Sequence, residues 1–359
     1  MTAFTIDELV IPASIDAPDA AAFIEMTHVR NEIEAETLGN RDLSYEPAEL
    51  LPHWQDPYDP QRLLVARVDG RIVARAVYNA PTSAGSTEAW FSIEVLSAFR
   101  RRGIGSALYD TLCEFAAADG RSVIQSYVMH KRVEGEMLPS PTGFGAVPLH
   151  TPETSFLLHR DFQLEQVERM SRLALPVPDE KLESNLAEAA DASGPDYRVV
   201  RWIGRTPERW LADLALLHQR MSTDAPSAGL DFAEEAWDEA RIRDLDDRRE
   251  TSPRTMLIVA VEHVPTGKLA GFTELSVPPE IDRPVEQQDT LVLKEHRGHR
   301  LGMLVKVANL KFLAETYPGH PSVTTFNAEE NRHMLDVNEA VGFVAVGYDG
   351  GWKKILTAG

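Results

Sequence analysis

The chain has a single cysteine, Cys113, among its 359 residues. No internal disulfide can form, and the sequence fits a reducing compartment. It is also short of positive charge: 36 Lys and Arg stand against 56 Asp and Glu, a formal net charge of −20. Nucleic-acid binding needs basic surface and is not expected, whereas cationic small molecules or basic peptides suit the acidic balance. No apolar run reaches the roughly 20 residues that cross a bilayer, so no membrane partner is expected. The N-terminus carries Asp7 and Glu8 and lacks a basic stretch followed by an apolar core, which points to a cytoplasmic location. The 11 histidines are scattered, with no helical His-Glu-His pattern and no cysteine pairs, so no metal site is expected.

What is present is a repeat. VLSAFRRRGIG, residues 95–105, returns as VLKEHRGHRLG, residues 292–302. Each ends a strand-like segment and opens an amphipathic helix, with Ile104, Leu108, Leu112 and Phe115 in the first copy and Leu301, Val305, Ala308 and Phe312 in the second at helical spacing. A strand that turns abruptly into a helix leaves the first helical N–H groups unpaired, and these donors with the helix dipole cradle an anion. Gly103 and Gly105 clear the surface for a phosphate, and Arg100, Arg101 and Arg102 add charge. The second copy has Arg297, Arg300 and Gly302 in the matching places, so its first glycine is lost.

The repeat extends beyond the loops. Hairpin patterns precede both, turning at Asp69-Gly70 and at Pro265-Thr266-Gly267. A strand, a proline-marked helix start and a helix come before each hairpin, and an apolar strand follows each loop helix, from Ser122 and from Pro321. The fold expected is mixed α/β: two tandem units, each a mixed central sheet flanked by helices, over residues 1–178 and 197–359. Residues 179–196 read as an acidic helix and a Ser-Gly-Pro linker. The order is serial, with no unit inserted in the other. Lys131 to Leu149 reads as an inserted loop.

These residues resemble the GNAT superfamily of acyl-CoA-dependent N-acetyltransferases, in its tandem form, over nearly the whole chain. That family's acetyl-CoA loop has Gln or Arg, two residues, Gly, one residue, then Gly or Ala. Arg100, Gly103 and Gly105 match fully; Arg297 and Gly302 match with Arg300 replacing the first glycine. Asn331 with Gly342-Phe343 follows the family's closing helix, and in the first copy Asp161-Phe162 stands for Gly-Phe. The resemblance implies acetyl-CoA as cosubstrate and a small-molecule amine as acceptor. The cofactor-binding residues it implies are Val95, Leu96, Ser97, Arg100, Arg101, Arg102, Gly103, Ile104, Gly105 and Ser106, and Val292, Leu293, Arg297, Gly298, His299, Arg300, Leu301, Gly302 and Asn331.

In such an enzyme the amine attacks the thioester directly, and a carboxylate on a central strand takes its proton. Glu94 is the candidate in the first unit, Asp289 and Glu274 in the second. Backbone N–H groups around Val95 to Ser97 and Val292 to Lys294 would polarise the carbonyl. The family's tyrosine acid is replaced by Leu157 and Asn338; a leucine has no proton to give, and Asn338 could hydrogen-bond the departing thiolate. The second unit, with two strand carboxylates, Asn331 and Asn338, is the expected seat of chemistry, while the first has the more complete loop. The other reading is a catalytically degenerate acyl-CoA-binding or sensing protein. The chain is expected to be a monomer or a homodimer.

Overall fold

The computed structural model describes residues 3–83 and 85–356, so the expected outer limits at residues 1 and 359 lie outside the described residues. The first half runs β1 (Thr5–Glu8), α1 (Ala21–Leu38), α2 (Pro47–Trp54), β2 (Gln61–Val68), β3 (Arg71–Asn79), β4 (Glu88–Val95), α3 (Ile104–Ala118) and β5 (Val123–Lys131). A small hairpin, β6 (Met137–Pro139) and β7 (Ala146–Pro148), then α4 (Pro152–Leu158) and β8 (Gln163–Ala174), complete it. The acidic helix α5 (Asp179–Ser193) leads to β9 (Tyr197–Ile203), α6 (Leu211–Asp224), α7 (Glu239–Thr251), β10 (Thr255–His263), β11 (Lys268–Val277) and β12 (Val285–Val292). The chain closes with α8 (Leu301–Thr316), β13 (Ser322–Ala328), α9 (Arg332–Val341) and β14 (Val344–Ile355).

The sequence pattern explains most of these elements. Asp69 and Gly70 both take positive φ in the β2–β3 turn, which matches the twist of a tight hairpin. Ile104, Leu108 and Leu112 of α3 and Leu301, Val305 and Phe312 of α8 are buried. The inserted loop holds the β6–β7 pair, which forms a separate two-stranded sheet. The first strand lies at Thr5–Glu8, ahead of the apolar Val10, because Glu8 pairs with Leu64 at the end of the register between β1 and β2.

The serial division differs from the structure at the ends of both halves. All main strands join one 12-stranded sheet, in the order β1-β2-β3-β4-β5-β14-β8-β13-β12-β11-β10-β9. β14, the last strand of the second half, pairs antiparallel with β5 of the first. Reciprocally, β8 pairs with β13, and β8 and β14 pair with each other at the centre. Trp352 of β14 is therefore fully buried in the first half's core, and Leu173 of β8 in the second's. A period-2 pattern specifies a half-buried strand but says nothing about which neighbour it pairs with.

Candidate active site

The site begins where two parallel strands part. β4 and β5 pair only over Glu88 to Trp90, opposite Val123 to Gln125; beyond this they diverge and leave backbone groups facing a gap. Leu96 N–H donates to Val73 O at 3.1 Å on the β3 side. Because successive residues of a strand alternate sides, the N–H groups of Val95 and Ile93 face the gap. The expected polarising donors are thus corrected at two positions: Leu96 N–H is used within the sheet, and Ser97 N–H donates to Glu36 at 2.9 Å.

The gap opens into a cavity of about 720 Å³ bounded by β4, α3, α4, β5, α1 and β14, and lined among others by Arg101, Gly103, Gly105, Ser106, Tyr109, Tyr127, Leu157 and Arg160. At its loop end Gly103 has φ +89° and opens α3, where the first N–H groups lack helical partners. A Cβ on Gly105 would lie 3.4 Å from Phe156, so a larger side chain here would fill the cradle. Ile104 is buried, and only its backbone can serve a ligand. Arg101 and Arg160 supply cations on the lining, and Arg160 reaches Ser106 Oγ at 2.7 Å. These features suit a pyrophosphate at the helix N-terminus. Arg100 does a different job from the one expected: it donates to Val95 O at 3.0 Å and to Glu153 at 2.7 Å, latching strand to loop and to α4. Arg102 is turned back onto Ala98 O at 2.8 Å.

The second loop has the same backbone with the residues exchanged. Positive φ occurs at Arg101 and Gly103 in the first copy and at Gly298 and Arg300 in the second. Gly and Arg have traded places between these two positions, so the lost glycine of the second loop reappears as Gly298, three residues after Glu295. Arg297 repeats the latch, donating to Val292 O at 3.1 Å, and Leu293 N–H is used by Ala270 O. Acids hold the cations of this loop: Asp224 contacts Lys294 and Arg297, and Glu188 contacts Arg300 at 3.4 Å. His299 packs beside Tyr197, 5.2 Å between ring centres. Leu301 is buried, and Gly302 has open space around it.

Beyond the second loop the opening is tied shut. β12 and β13 pair in parallel only at Val285–Glu286 with Val323–Thr324. Lys306, one helical register from the loop as Tyr109 is in the first half, is buried with its Nζ 2.7 Å from Asn338 Oδ1. Asn338 Nδ2 donates in turn to Asn327 Oδ1 at 2.6 Å. The chain of bonds joins α8, α9 and β13, so Asn338 is already fully engaged and is a poor partner for a thiolate. Asn331 caps α9, accepting from Met334 N–H at 3.3 Å, where a cofactor contact was expected. Thr151 caps α4 in the same way, and Asp161 takes the positive φ that Gly342 takes.

The strand carboxylates are held by arginines. Arg75 grips Glu94 with two bonds of 2.9 and 2.7 Å; burial alone would raise this carboxyl, but the guanidinium holds it below its usual range. Arg249 grips Glu274 with bonds of 3.1 and 2.7 Å, with the same balance and the same downward result. A carboxylate stabilised in this way is a weak proton acceptor. Asp289 is freer: its side chain is 40% exposed and 3.7 Å from His218, and desolvation followed by Glu274 raises it to about 7. It lies away from the large cavity.

Two residues that the sequence reading missed stand on that cavity, Glu34 of α1 and Asp349 of β14. Burial raises Glu34 to about 7 against the opposing pull of Arg30. Burial also raises Asp349, helped by Glu168 and Glu34 and opposed by the Val128 N–H. Neither had a local signal: Glu34 is one of several acids on α1, and Asp349 reaches the site only through the strand exchange.

Residues 28–132, from α1 to β5, match the model of the acetyltransferase (GNAT) family. No curated protein matches the chain. Among solved structures it is similar to a tandem GNAT protein from the clavulanic acid biosynthesis pathway, solved without AcCoA: 23% identity, 99% of this chain and 100% of that one, TM-score 0.75. A GCN5-related N-acetyltransferase from Sphaerobacter thermophilus is 12% identical over 99% of this chain and 96% of its own, TM-score 0.60. The Saccharomyces cerevisiae N-myristoyltransferase with bound myristoyl-CoA is 10% identical over 100% and 80%, TM-score 0.57. Residues 28–132 thus match the acetyltransferase (GNAT) family model, and the chain as a whole has the fold of a tandem GNAT protein.

Proposed function

We propose that the chain is an acetyl-CoA-dependent N-acetyltransferase acting on a primary amine of a small molecule, with its working site in the first half. The observation that carries this reading is the 720 Å³ cavity, which runs from the α3 N-terminus through the β4–β5 gap to buried carboxylates. Acetyl-CoA as cosubstrate would place its pyrophosphate on the N–H groups after Gly103, near Arg101 and Arg160, and its carbonyl by Val95 or Ile93 N–H. No metal is needed for direct aminolysis, and the described residues hold no cluster of three or more His, Cys, Asp or Glu suited to a metal ion.

The acceptor has a route from the other side. A groove of about 620 Å³ lies between the two halves, bounded by α2, α7 and the strands beneath them, and Ser92 lines both it and the cavity. An amine entering by the groove would pass Ser92 to reach the carboxylates of the cavity. The acidic balance of the chain favours a cationic acceptor. No described helix is long and apolar enough to cross a membrane.

The second half serves the fold and the groove on this reading, through the Lys306–Asn338–Asn327 tie. A catalytically silent acyl-CoA-binding protein is the other reading, favoured by the arginine-held Glu94 and Glu274. Release of CoA thiol on mixing the protein with acetyl-CoA and a primary amine separates the two: acceleration over the solution rate supports transfer, and binding without acceleration supports the silent protein.

A further inference from the structure

The exchanged strand puts a carboxylate from the chain's C-terminal end into the first half's cavity. Asp349 lies opposite Met129 of β5 and opposite Glu168 of β8 in the sheet registers. Directly opposed residues share a face, so Asp349 and Glu168 point to the side on which α1 supplies Glu34. Glu34 is 7% exposed. One of its oxygens, Oε1, meets Arg30 at 2.5 Å; the other, Oε2, is buried without a hydrogen-bond partner, and so is Asp349 Oδ1. Both side chains line the cavity.

A buried carboxyl oxygen that no donor meets is costly, and here two side chains carrying such an oxygen line one cavity. Burial raises both carboxyls; repulsion from Glu168 and Glu34 adds to the rise at Asp349, and repulsion from Glu94 to that at Glu34, against the pull of Arg30 and Arg75. Arginine satisfies the carboxylates Glu94 and Glu274 elsewhere in the sheet, yet Asp349 has no cation within salt-bridge distance among the described residues. The missing partner has the chemistry of an ammonium group: compact, positive, with three donors.

We infer that Asp349, delivered by β14, is the proton acceptor for the amine substrate, and that Glu34 holds the substrate's ammonium beside it. This rests on the acetyltransferase reading of the same cavity. The substrate ammonium gives one proton to the Asp349 carboxylate and becomes a free amine. The nitrogen lone pair then forms the C–N bond at the thioester carbon, the C–S bond breaks, and the sulfur leaves with its electron pair. The second nitrogen proton passes to that thiolate, giving CoA thiol and the neutral amide, and Asp349 returns its proton to solvent. The second half is thereby part of the first half's active site.

The test uses the full chain, with n-butylamine as acceptor and CoA thiol release as readout, beside calorimetric titration with acetyl-CoA. Asp349→Asn should bind acetyl-CoA as the unaltered chain does while kcat/KM for butylamine falls by about 100-fold or more, the usual scale for loss of a general base. Glu34→Gln should raise KM for butylamine more than it lowers kcat. It also carries the test if Asp349→Asn fails to fold, because it leaves β14 untouched. Unchanged kcat/KM in either variant overturns the assignment. So does an unaltered chain that binds acetyl-CoA but does not accelerate butylamine acetylation. Absence of acetyl-CoA binding overturns instead the acetyltransferase reading beneath it.

Discussion

Residue identity matters most here where a charge is buried. Glu94 sits on the loop strand, where an acetyltransferase base is sought, but its two bonds to Arg75 make it part of the sheet's frame. Removing one member of such a pair leaves the other charge uncompensated. Glu94→Gln should therefore lower stability by about 3 kcal/mol, and replacing both residues together, Arg75→Met with Glu94→Leu, should lower it much less. Urea denaturation of the three proteins checks this; equal losses in the single and double variants would show that the pair is not held as described. The sequence could place Glu94 on the strand but not its partner, because Arg75 is joined to it only by the β3–β4 register. For Asp349 the problem is larger, since its neighbours Met129 and Glu168 lie far back in the chain.

Among the elements, the two strand-loop-helix units were the most legible, because the chain repeats them and local chemistry specifies them. The backbone is more alike than the residues. Arg300 adopts φ +53° where the first loop has a glycine, a conformation that costs an L-residue about 1–2 kcal/mol. Arg300→Gly should raise stability by about 1 kcal/mol, since the exposed contact to Glu188 that it gives up is worth little. Thermal unfolding measures the gain, and a lower melting temperature would contradict it.

The α8–α9 tie offers a second test among the elements. Burial lowers Lys306 from 10.5 to about 7. Between these values the unfolded chain holds a proton that the folded chain does not, so this group's contribution to stability rises as pH rises from about 7 towards 10.5. Lys306→Met has no proton there to bind. Stability measured across that range should climb in the unaltered chain relative to the variant; parallel curves would mean that folding leaves the Lys306 amine as easily protonated as in the unfolded chain.

For the whole molecule, the exchange of β8 and β14 makes two sequence repeats into one cooperative body. Each half contributes a strand to the other's sheet, and the two strands pair along most of their length. Deleting residues 344–359 removes β14, including the buried Trp352. Acetyl-CoA binding should vanish with it, although the loop from Val95 to Ser106 is intact. A serial pair of independent units would keep that binding. Neither β14 nor its destination was readable in the sequence, because VAVGYDGGWKKI lacks a sustained period-2 pattern and pairing across halves is settled by burial in a core that forms only when both halves are present.

The central claim is that one cavity, in the first half, takes acetyl-CoA. The most direct measurement is a calorimetric titration of the full chain with acetyl-CoA, repeated with Gly105→Val and Gly302→Val. A Cβ at Gly105 already meets Phe156, whereas one at Gly302 meets open space. The account predicts one site per chain, lost in the Gly105 variant and kept in the Gly302 variant. Two sites, none, or a single site lost only with Gly302→Val would contradict it.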